Sequence, residues 1–357
     1  MSDRAARLHA NDARGVFYIT GGGISFLSEM LGTAGASRTV LEAQIPYANQ
    51  ALAELLGGHP DEACSQETAR ALAMAAFTRA LEFDPDTPFG LACTASLATD
   101  RIKRGAHRAH LALQTSSATY VLDLRFSDTR DVEEALVVDA LWSLAGVLSG
   151  DAPPQNTDVA FGEQRWQAVV TDERVAVSTS DHDGQLLVPG SFNPMHHGHH
   201  RLAKLAEQRT GLSAALELSI ANVDKPMLDY HSIEDRLTSV RQTMDIPVWI
   251  TRLPTFVDKA AHFRGATFAI GCDTLVRIDQ SRYYGSPDLR DAALAQLAEY
   301  GARFLVFGRT DDERFATLES VRISDRLRAL CIGVSEEDFR VDVSSSQIRA
   351  ARGPAPP

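Results

Sequence analysis

The chain has few cysteines, and they lie far apart. Of its 357 residues only four are cysteines, Cys64, Cys93, Cys272 and Cys331, and no two of them form a CxxC pair. This spacing argues against a disulfide-stabilised scaffold. We therefore expect reduced, mostly structural thiols in a cytoplasmic protein.

Positive charge and long apolar runs are also scarce. The formal net charge is −12, and no run of lysine and arginine is longer than RIKR at 101–104. This balance disfavours nucleic-acid and anionic membrane partners, although a local basic pocket can still hold phosphates. No stretch reaches the roughly 18 apolar residues of a membrane span, and the N-terminal segment lacks the apolar core of a signal peptide.

Length and composition fit a globular protein of two domains. The clearest boundary is the run SGDAPPQNTDVAFGEQRWQ at 149–167, which follows an apolar helical pattern at 132–148. We predict a domain over 1–150, a linker over 151–183 in which RVAVSTS is the one strand-like run, and a second domain over 184–357.

Strand-like and helix-like segments alternate in the C-terminal domain. The strand-like runs are QLLVP, AALELSI, PVWITRL, ATFAIG and RFLVFG. Helical patterns run from Gly198 to Thr210, from a cap at Ser232, and around DLRDAALAQLAEYG. This alternation predicts an α/β fold with a parallel sheet, whose ligands bind at the carboxyl ends of the strands.

The N-terminal domain alternates less regularly. GVFYIT, FGLACTAS and YVLDLRF are typical of strands, whereas GGISFLSEMLG and SQETARALAMAAFTRALEF are typical of helices. The pattern predicts an α/β or α+β domain.

The run LLVPGSFNPMHHGHHRLA at 186–203 contains four of the chain's eleven histidines, and all four lie within positions 196–200. LLVP reads as a strand, GSFNPMHH as a turn and GHHRLA as the first turns of a helix. His196 and His199 can then face one side of the helix N-terminus, whose free N–H groups and partial positive charge suit a phosphate chain. We expect His197 and His200 to face solvent.

Two other readings of this cluster stay open. A zinc site would need further ligands, yet no paired cysteines or second histidine-rich spacing occur, and His182 falls in the predicted linker. The cluster can also be purely structural. Gly190 and Gly198 favour the phosphate reading, because a glycine lets the backbone approach a nucleotide closely.

The run GSFNPMHHGH resembles the G-S-F-[ND]-P-x-H-x-G-H motif of nicotinamide mononucleotide adenylyltransferases, in the HxGH nucleotidylyltransferase superfamily. The resemblance implies that His196 and His199 act on the triphosphate and its transition-state charge. It also implies an ATP-binding turn formed by Gly190, Ser191, Phe192 and Gly198.

A second run, VSSSQIR at 343–349, resembles the ISSTxIR loop of the same superfamily, with serine in place of threonine at 346. The resemblance implies that Ser344, Ser345 and Ser346 hold the β- and γ-phosphates and that Arg349 clamps them. A helix cap is the structural alternative for these serines.

Two smaller matches fall between the two motifs, and Lys225 is a further candidate there. IGCDTL at 270–275 resembles G-x-D-x-[LF], which places Gly271 and Asp273 near the nucleoside, although Asp273 can equally be a helix cap. Arg309 ends FLVFGR, where relatives carry an arginine near phosphates. Lys225 either meets the acceptor phosphate or lies on the surface. The resemblance covers residues 184–352.

The resemblance implies a reaction in which an acceptor phosphate attacks the α-phosphorus of ATP and pyrophosphate leaves. Positioning and charge stabilisation carry such a reaction without a protein nucleophile. We assign catalysis to His196, His199 and Arg349, acceptor binding to Lys225 and Arg309, and expect Mg²⁺ held by substrate oxygens and water.

The N-terminal half resembles the C-terminal domain of CinA, a nicotinamide mononucleotide deamidase, over about residues 14–148. YITGG at 18–22 matches S-C-T-G-G, and AGASRTVLEAQIPYAN at 34–49 aligns without gaps on P-G-S-S…Y-S-N. CSQETARALA is similar to V-S-E-E-V-A-R-x-M-A.

The sequence departs from the CinA pattern at positions that the family uses for catalysis. Tyr18 replaces the family serine, Leu52 replaces a lysine, and TASLATDR at 94–101 replaces a glycine-rich loop. We therefore predict a domain without deamidase activity, which either retains a pyridine-nucleotide pocket or forms a homo-oligomer. Cys93 is either a substitute nucleophile or a core residue.

Both resemblances together predict an adenylyltransferase whose acceptor is nicotinamide mononucleotide or nicotinate mononucleotide. The first rival is transfer to another phosphate acceptor, a phosphopantetheine or a polyol phosphate, with ATP or CTP as donor. The second rival is a sensor that binds pyridine nucleotides without turnover. Retention of both phosphate motifs argues against the sensor.

Overall fold

The computed structural model describes residues 3–100, 105–311, 314–341 and 345–352. It divides into two compact units, Met1–Glu173 with Asp224–Ile233 and Arg174–Val223 with Glu234–Pro357. Each unit has its own β-sheet with helices against it, so the predicted α/β class with two parts is confirmed. Among the described helices, none combines the length and apolar character needed to cross a lipid bilayer.

The first unit holds a six-stranded sheet. Its helices are α1 (Asp3–Leu8), α2 (Ile24–Gly32), α3 (Asn49–Leu56), α4 (Gln66–Phe83), α5 (Arg130–Ala145) and α6 (Gln164–Val170). Its strands are β1 (Arg14–Thr20), β2 (Val40–Gln44), β3 (Pro88–Ser96), β4 (His107–Thr115), β5 (Ala118–Phe126) and β6 (Asp158–Phe161). The strand order is β2-β1-β3-β4-β5-β6, parallel from β2 to β3 and antiparallel from β3 to β6.

Alternation along β1 builds an apolar core on each face of this sheet. Phe17 and Ile19 enter the core formed with α2 and α5, whereas Val16 and Tyr18 enter the core formed with α3 and α4. Successive side chains of a strand point to opposite faces, so one strand serves both cores. The four residues VFYI at 16–19 are therefore all buried.

The second unit holds a seven-stranded sheet. Its helices are α7 (His197–Thr210), α8 (Tyr230–Thr243), α9 (Phe256–His262), α10 (Cys272–Ile278), α11 (Pro287–Glu299), α12 (Asp325–Arg328) and α13 (Ser345–Arg352). The first four residues of α8 are assigned to the first unit. Its strands are β7 (Ala176–Ser178), β8 (Leu186–Pro189), β9 (Ala215–Ser219), β10 (Val248–Thr251), β11 (Thr267–Gly271), β12 (Arg303–Phe307), β13 (Arg309–Asp311), β14 (Arg314–Ala316) and β15 (Cys331–Gly333).

The strand order β15-β12-β11-β8-β9-β10-β7 creates a switch point beside β8. From β8 the chain runs outward to β9 and β10 on one side, and β11 and β12 lie on the other side. All pairs are parallel except β7 with β10, and β13 and β14 form a separate hairpin. Such a switch point leaves a crevice at the carboxyl ends of the strands.

Two predicted boundaries differ from the structure. The segment expected as a linker, 151–183, contributes β6 and α6 to the first unit and β7 to the second sheet. Helix α8 begins at Tyr230, not at a Ser232 cap, because the Asp229 carboxylate accepts hydrogen bonds from the Ser232 backbone N–H and hydroxyl, at 3.0 and 2.8 Å. The missed signal was an Asp three residues earlier, which caps as well as serine.

Candidate functional site

A cavity of about 420 Å³ opens at the carboxyl ends of β8, β11 and β12, inside the second unit. The loop after β8, the first turns of α7 and α10, and α13 complete its walls. This is the crevice that the switch point leaves. It brings together these sequence-predicted residues: Gly190, Ser191, His196, Gly198, His199, Gly271, Asp273, Arg309, Ser345 and Arg349.

The two motif histidines form a capping box at the N-terminus of α7. The Gly198 N–H donates to His196 Nδ1 at 3.1 Å, and the His196 N–H donates to His199 Nδ1 at 3.3 Å. The ring centroids lie 3.9 Å apart. Because Nδ1 accepts in both rings, the proton of each neutral imidazole sits on Nε2. The pair therefore offers two Nε2–H donors.

Burial keeps both imidazoles uncharged near neutral pH. It lowers the pKa of His199 to about 3, with smaller contributions from His196 and Arg309. Burial also lowers the pKa of His196, assisted by the charges of His197 and Arg309. Neutral donors can hold phosphate oxygens without the hydration of a permanent charge, and a bound anion would draw these pKa values upward.

The turn between β8 and α7 is anchored by Phe192. Its side chain is buried, its backbone has a φ of 47°, and its ring lies 5.3 Å from that of His199. A Cβ on Gly190 would lie 2.7 Å from the Phe192 ring, so this position requires glycine. Phe192 thus packs inside the turn. It does not line the cavity, although the sequence resemblance implies that it belongs to the ATP-binding turn.

Gly198 is also required by close packing. A Cβ there would lie 2.8 Å from Val341 Cγ1 and 2.9 Å from the His196 ring. Any larger residue would separate α7 from the Val341 segment and displace His196 from its cap. The glycine of the HxGH motif therefore keeps the helix N-terminus open to the cavity.

Two residues that sequence reasoning missed hold this turn from α8. Arg236 Nε donates to the Ser191 carbonyl at 2.9 Å, and the Met195 N–H donates to Ser239 Oγ at 2.9 Å. They lie three positions apart on one helix face, as i, i+3 neighbours do. Nothing in their local sequence distinguishes them from surface residues of an amphipathic helix.

Helix α13 closes the site from the far end of the chain. Ser345 Oγ donates to the Pro194 carbonyl at 3.0 Å, and Arg349 Nη1 donates to the Asn193 carbonyl at 2.5 Å. Both motif segments therefore meet in one place. Ser344 lies outside the described residues, and for Ser346 the structure gives its position in α13 alone.

Asp273 and Arg309 form an ion pair at the strand ends. Arg309 Nη1 donates to Asp273 Oδ2 at 2.9 Å, and both side chains are partly exposed. Asp273 is the second residue of α10, and Gly271, not Asp273, occupies the N-cap position of that helix. Sequence reasoning did not connect the two residues, and it missed Thr274 and Arg277, which line the same cavity.

Lys225 is not among the residues that line this cavity, and its segment, Asp224–Ile233, belongs to the first unit. Its predicted contact with an acceptor phosphate thus has no counterpart in the cavity wall. Among the described residues, no group of three or more His, Cys, Asp or Glu could hold a metal ion. His182, considered above for zinc, lies with its Nε2 3.0 Å from the Ser213 carbonyl.

In the first unit the substituted CinA positions are part of the core. Tyr18 and Leu52 are both buried in the apolar cluster beneath α4. Burial and the nearby Glu42 carboxylate raise the pKa of Tyr18 to about 12. Cys93 is fully buried in the opposite core, and burial raises the pKa of its thiol. Neither the phenol of Tyr18 nor the thiol of Cys93 can supply an accessible nucleophile at neutral pH, and a leucine has no nucleophilic atom.

The glycine loop of the first unit already holds an internal carboxylate. Glu134 Oε2 accepts from the Gly23 N–H at 2.8 Å, at the start of α2. Arg130, one turn earlier on α5, donates to the Gly21 and Ala98 carbonyls at 3.1 and 3.3 Å. Glu134 thus occupies a backbone N–H that a substrate anion would otherwise use, whereas Arg130 binds two backbone carbonyls.

The C-terminal region matches a known family. The sequence model of the cytidylyltransferase-like family matches residues 187–351. This match confirms the resemblance to HxGH nucleotidylyltransferases and supports a nucleotidylyltransferase activity for this part of the chain. No curated protein matches the chain.

Solved structures similar to the N-terminal region come from the CinA superfamily. A competence/damage-inducible protein from Agrobacterium tumefaciens is 20% identical, covers 42% of this chain and 94% of that chain, and has a TM-score of 0.35. A CinA superfamily protein from Escherichia coli is 18% identical over 42% of this chain and 94% of its own, with a TM-score of 0.33. The corresponding protein from Enterobacter cloacae is 18% identical, with 40% and 87% coverage and a TM-score of 0.34.

Proposed function

We propose that the second unit transfers AMP from ATP to the phosphate of nicotinamide mononucleotide or nicotinate mononucleotide and releases pyrophosphate. The nucleotidyl transfer rests on the family match and on the cavity. The choice of acceptor rests on the two sequence resemblances, both of which concern pyridine nucleotides. The experiment therefore tests the identity of the acceptor separately from the transfer reaction.

One observation carries the proposal. The HxGH histidines at the start of α7 and the Ser345 and Arg349 pair of α13 line the same cavity, although the sequence separates them widely. A helix N-terminus, two Nε2–H donors and a guanidinium then converge on one space. That combination suits a polyphosphate.

The chemistry needs positioning and charge stabilisation. An oxygen of the acceptor phosphate attacks the α-phosphorus of ATP, a new P–O–P bond forms, and the bond to the β-phosphate breaks as pyrophosphate leaves. His196 and His199 donate from Nε2 to the phosphate oxygens on which charge develops, and Arg349 clamps the leaving pyrophosphate. No protein side chain forms a bond to the substrate.

Magnesium enters this proposal as part of the ATP substrate. Asp273 is the one carboxylate among the described residues that line the cavity, and it pairs with Arg309. These residues do not fit a protein cage for Mg²⁺, which commonly keeps several waters and binds substrate phosphates. We assign no step of the reaction to a protein-bound metal.

The test is pyrophosphate release by the full-length chain across a grid of donors and acceptors. ATP and CTP are each combined with the two mononucleotides, phosphopantetheine and a polyol phosphate, with Mg²⁺ present. Turnover with ATP and a mononucleotide alone supports the proposal. Turnover with another pair identifies a different nucleotidylyltransferase, and ATP binding by calorimetry without any turnover identifies a sensor.

A further inference from the structure

The described wall of the cavity carries a net positive charge, and the two reacting phosphate groups need cations at separate places along it. Three guanidinium groups, those of Arg277, Arg309 and Arg349, and one carboxylate line its described wall, while both motif imidazoles are neutral. Magnesium-bound ATP carries a net charge of about −2 near neutral pH. An acceptor phosphate adds up to two more negative charges, which repel the triphosphate unless a cation lies beside them.

The three guanidinium groups differ in what they already bind. Arg309 pairs with Asp273, and Arg349 donates to the Asn193 carbonyl beside the histidines. Arg277 is exposed on α10, one turn after Asp273, and within the described residues its side chain has neither a hydrogen bond nor an ion pair. Among the arginines of the described wall, Arg277 is therefore the one whose guanidinium makes no hydrogen bond or ion pair.

The geometry of the reaction separates two phosphate subsites. In an in-line displacement the attacking phosphate and the leaving pyrophosphate lie on opposite sides of the α-phosphorus. If α7 and α13 hold the pyrophosphate, two described arginines on other elements remain for the acceptor, Arg309 at the start of β13 and Arg277 on α10. Arg309 already pairs with Asp273, so we assign the acceptor phosphate to Arg277.

We propose that Arg277 binds the phosphate monoester of the acceptor and so determines which acceptors are used. This inference rests on the proposed nucleotidyl transfer, and it gives Arg277 the role that the sequence had suggested for Lys225. The ligand class is a compound with a terminal, dianionic phosphate. A planar guanidinium matches two of its oxygens at once, and a lysine ammonium does not.

The test compares a phosphorylated ligand with its dephosphorylated form. Calorimetry on the full-length chain measures the affinity for nicotinamide mononucleotide, for nicotinate mononucleotide and for nicotinamide riboside, with the wild type, Arg277→Ala and Arg277→Lys. Arg282→Ala is the matched control, because Arg282 is exposed four residues beyond the end of α10 and does not line the cavity.

We expect Arg277→Ala to weaken mononucleotide binding about 30-fold and to leave riboside binding within about threefold, in line with one charged hydrogen-bonded contact. Arg277→Lys should recover only part of the loss, and Arg282→Ala should change nothing. In turnover, KM for the acceptor should rise while KM for ATP stays within about threefold.

Three outcomes would overturn the inference. Equal losses for mononucleotide and riboside would place Arg277 on the nucleoside, and an equal rise in KM for ATP would place it on the triphosphate. If Arg277→Ala weakens the binding of nicotinate mononucleotide and of nicotinamide mononucleotide by different factors, Arg277 contacts the pyridine substituent. If the wild type binds the mononucleotide but turns over no donor, the proposed function fails, while the binding comparison still decides the role of Arg277.

Discussion

Arg309 donates to Asp273 across the carboxyl ends of two adjacent parallel strands, β12 and β11, at 2.9 Å. Each side chain is more than two fifths exposed, at 45% and 42%. Ion pairs this exposed contribute little to stability, typically below about 1 kcal/mol. The pair can therefore open at small cost when a phosphate competes for the guanidinium.

Asp273→Asn should leave the melting temperature nearly unchanged and should not weaken pyrophosphate binding. Arg309 lies in the wall of the proposed phosphate-binding cavity, so Arg309→Ala should weaken the binding of pyrophosphate, used here as a general phosphate probe, about tenfold because a charged donor is lost. Thermal unfolding and calorimetric titration of pyrophosphate measure both effects. A loss of pyrophosphate affinity in Asp273→Asn as large as that in Arg309→Ala would show that the carboxylate, as well as the arginine, is needed at the phosphate site.

His199→Ala should lower kcat about 100-fold or more while changing ATP affinity far less. The neutral imidazole is positioned by the His196 N–H to donate where charge develops, and such donors act mainly in the transition state. Pyrophosphate release and ATP calorimetry separate the two effects. His200→Ala, at a position that does not line the cavity, is the control. Full activity in His199→Ala would remove this histidine from the mechanism.

Arg349→Lys should not restore what Arg349→Ala loses. A guanidinium offers a planar fork to two phosphate oxygens, whereas an ammonium offers a point charge on a flexible stem. KM for ATP should rise in both variants, and the melting temperature should change little because Arg349 is exposed. A lysine variant with wild-type KM would contradict the proposed clamp.

The stability of the protein should depend on pH through His199. Its pKa is about 3 when folded and about 6.5 when unfolded, so between these values the unfolded chain binds a proton that the folded chain does not. The free energy of unfolding should therefore fall as pH decreases from about 6.5. His199→Asn should lose less melting temperature between pH 7 and 5 than wild type or His200→Asn. Parallel curves would contradict this assignment.

The first unit should not deamidate nicotinamide mononucleotide. Tyr18 and Leu52 are buried in the core, and Glu134 occupies the Gly23 N–H at the glycine loop. We expect no ammonia release by the full-length chain, even where calorimetry detects binding. Ammonia release that disappears in Cys93→Ala would show instead that this buried thiol becomes accessible and acts as a nucleophile.

The sequence by itself determined the α/β class, most strands and the two phosphate motifs. Those features depend on local patterns: apolar runs such as LLVP, caps, and glycines at the turn from β8 to α7. The edge strand β6 was not predicted, because it is only four residues long, whereas β7, three residues long, lies within the predicted strand-like run RVAVSTS. Strands so short carry little periodicity, and their pairing partners define them.

Only the tertiary structure decided which polar groups meet. The Asp273–Arg309 pair, the support of the turn by Arg236 and Ser239, and the carboxylate of Glu134 at Gly23 all join residues from different elements. The position of Arg277 in the cavity wall was likewise decided by the tertiary structure, and among the described residues its side chain makes no hydrogen bond or ion pair. Sheet order and helix packing set such distances, and no spacing along one segment encodes them.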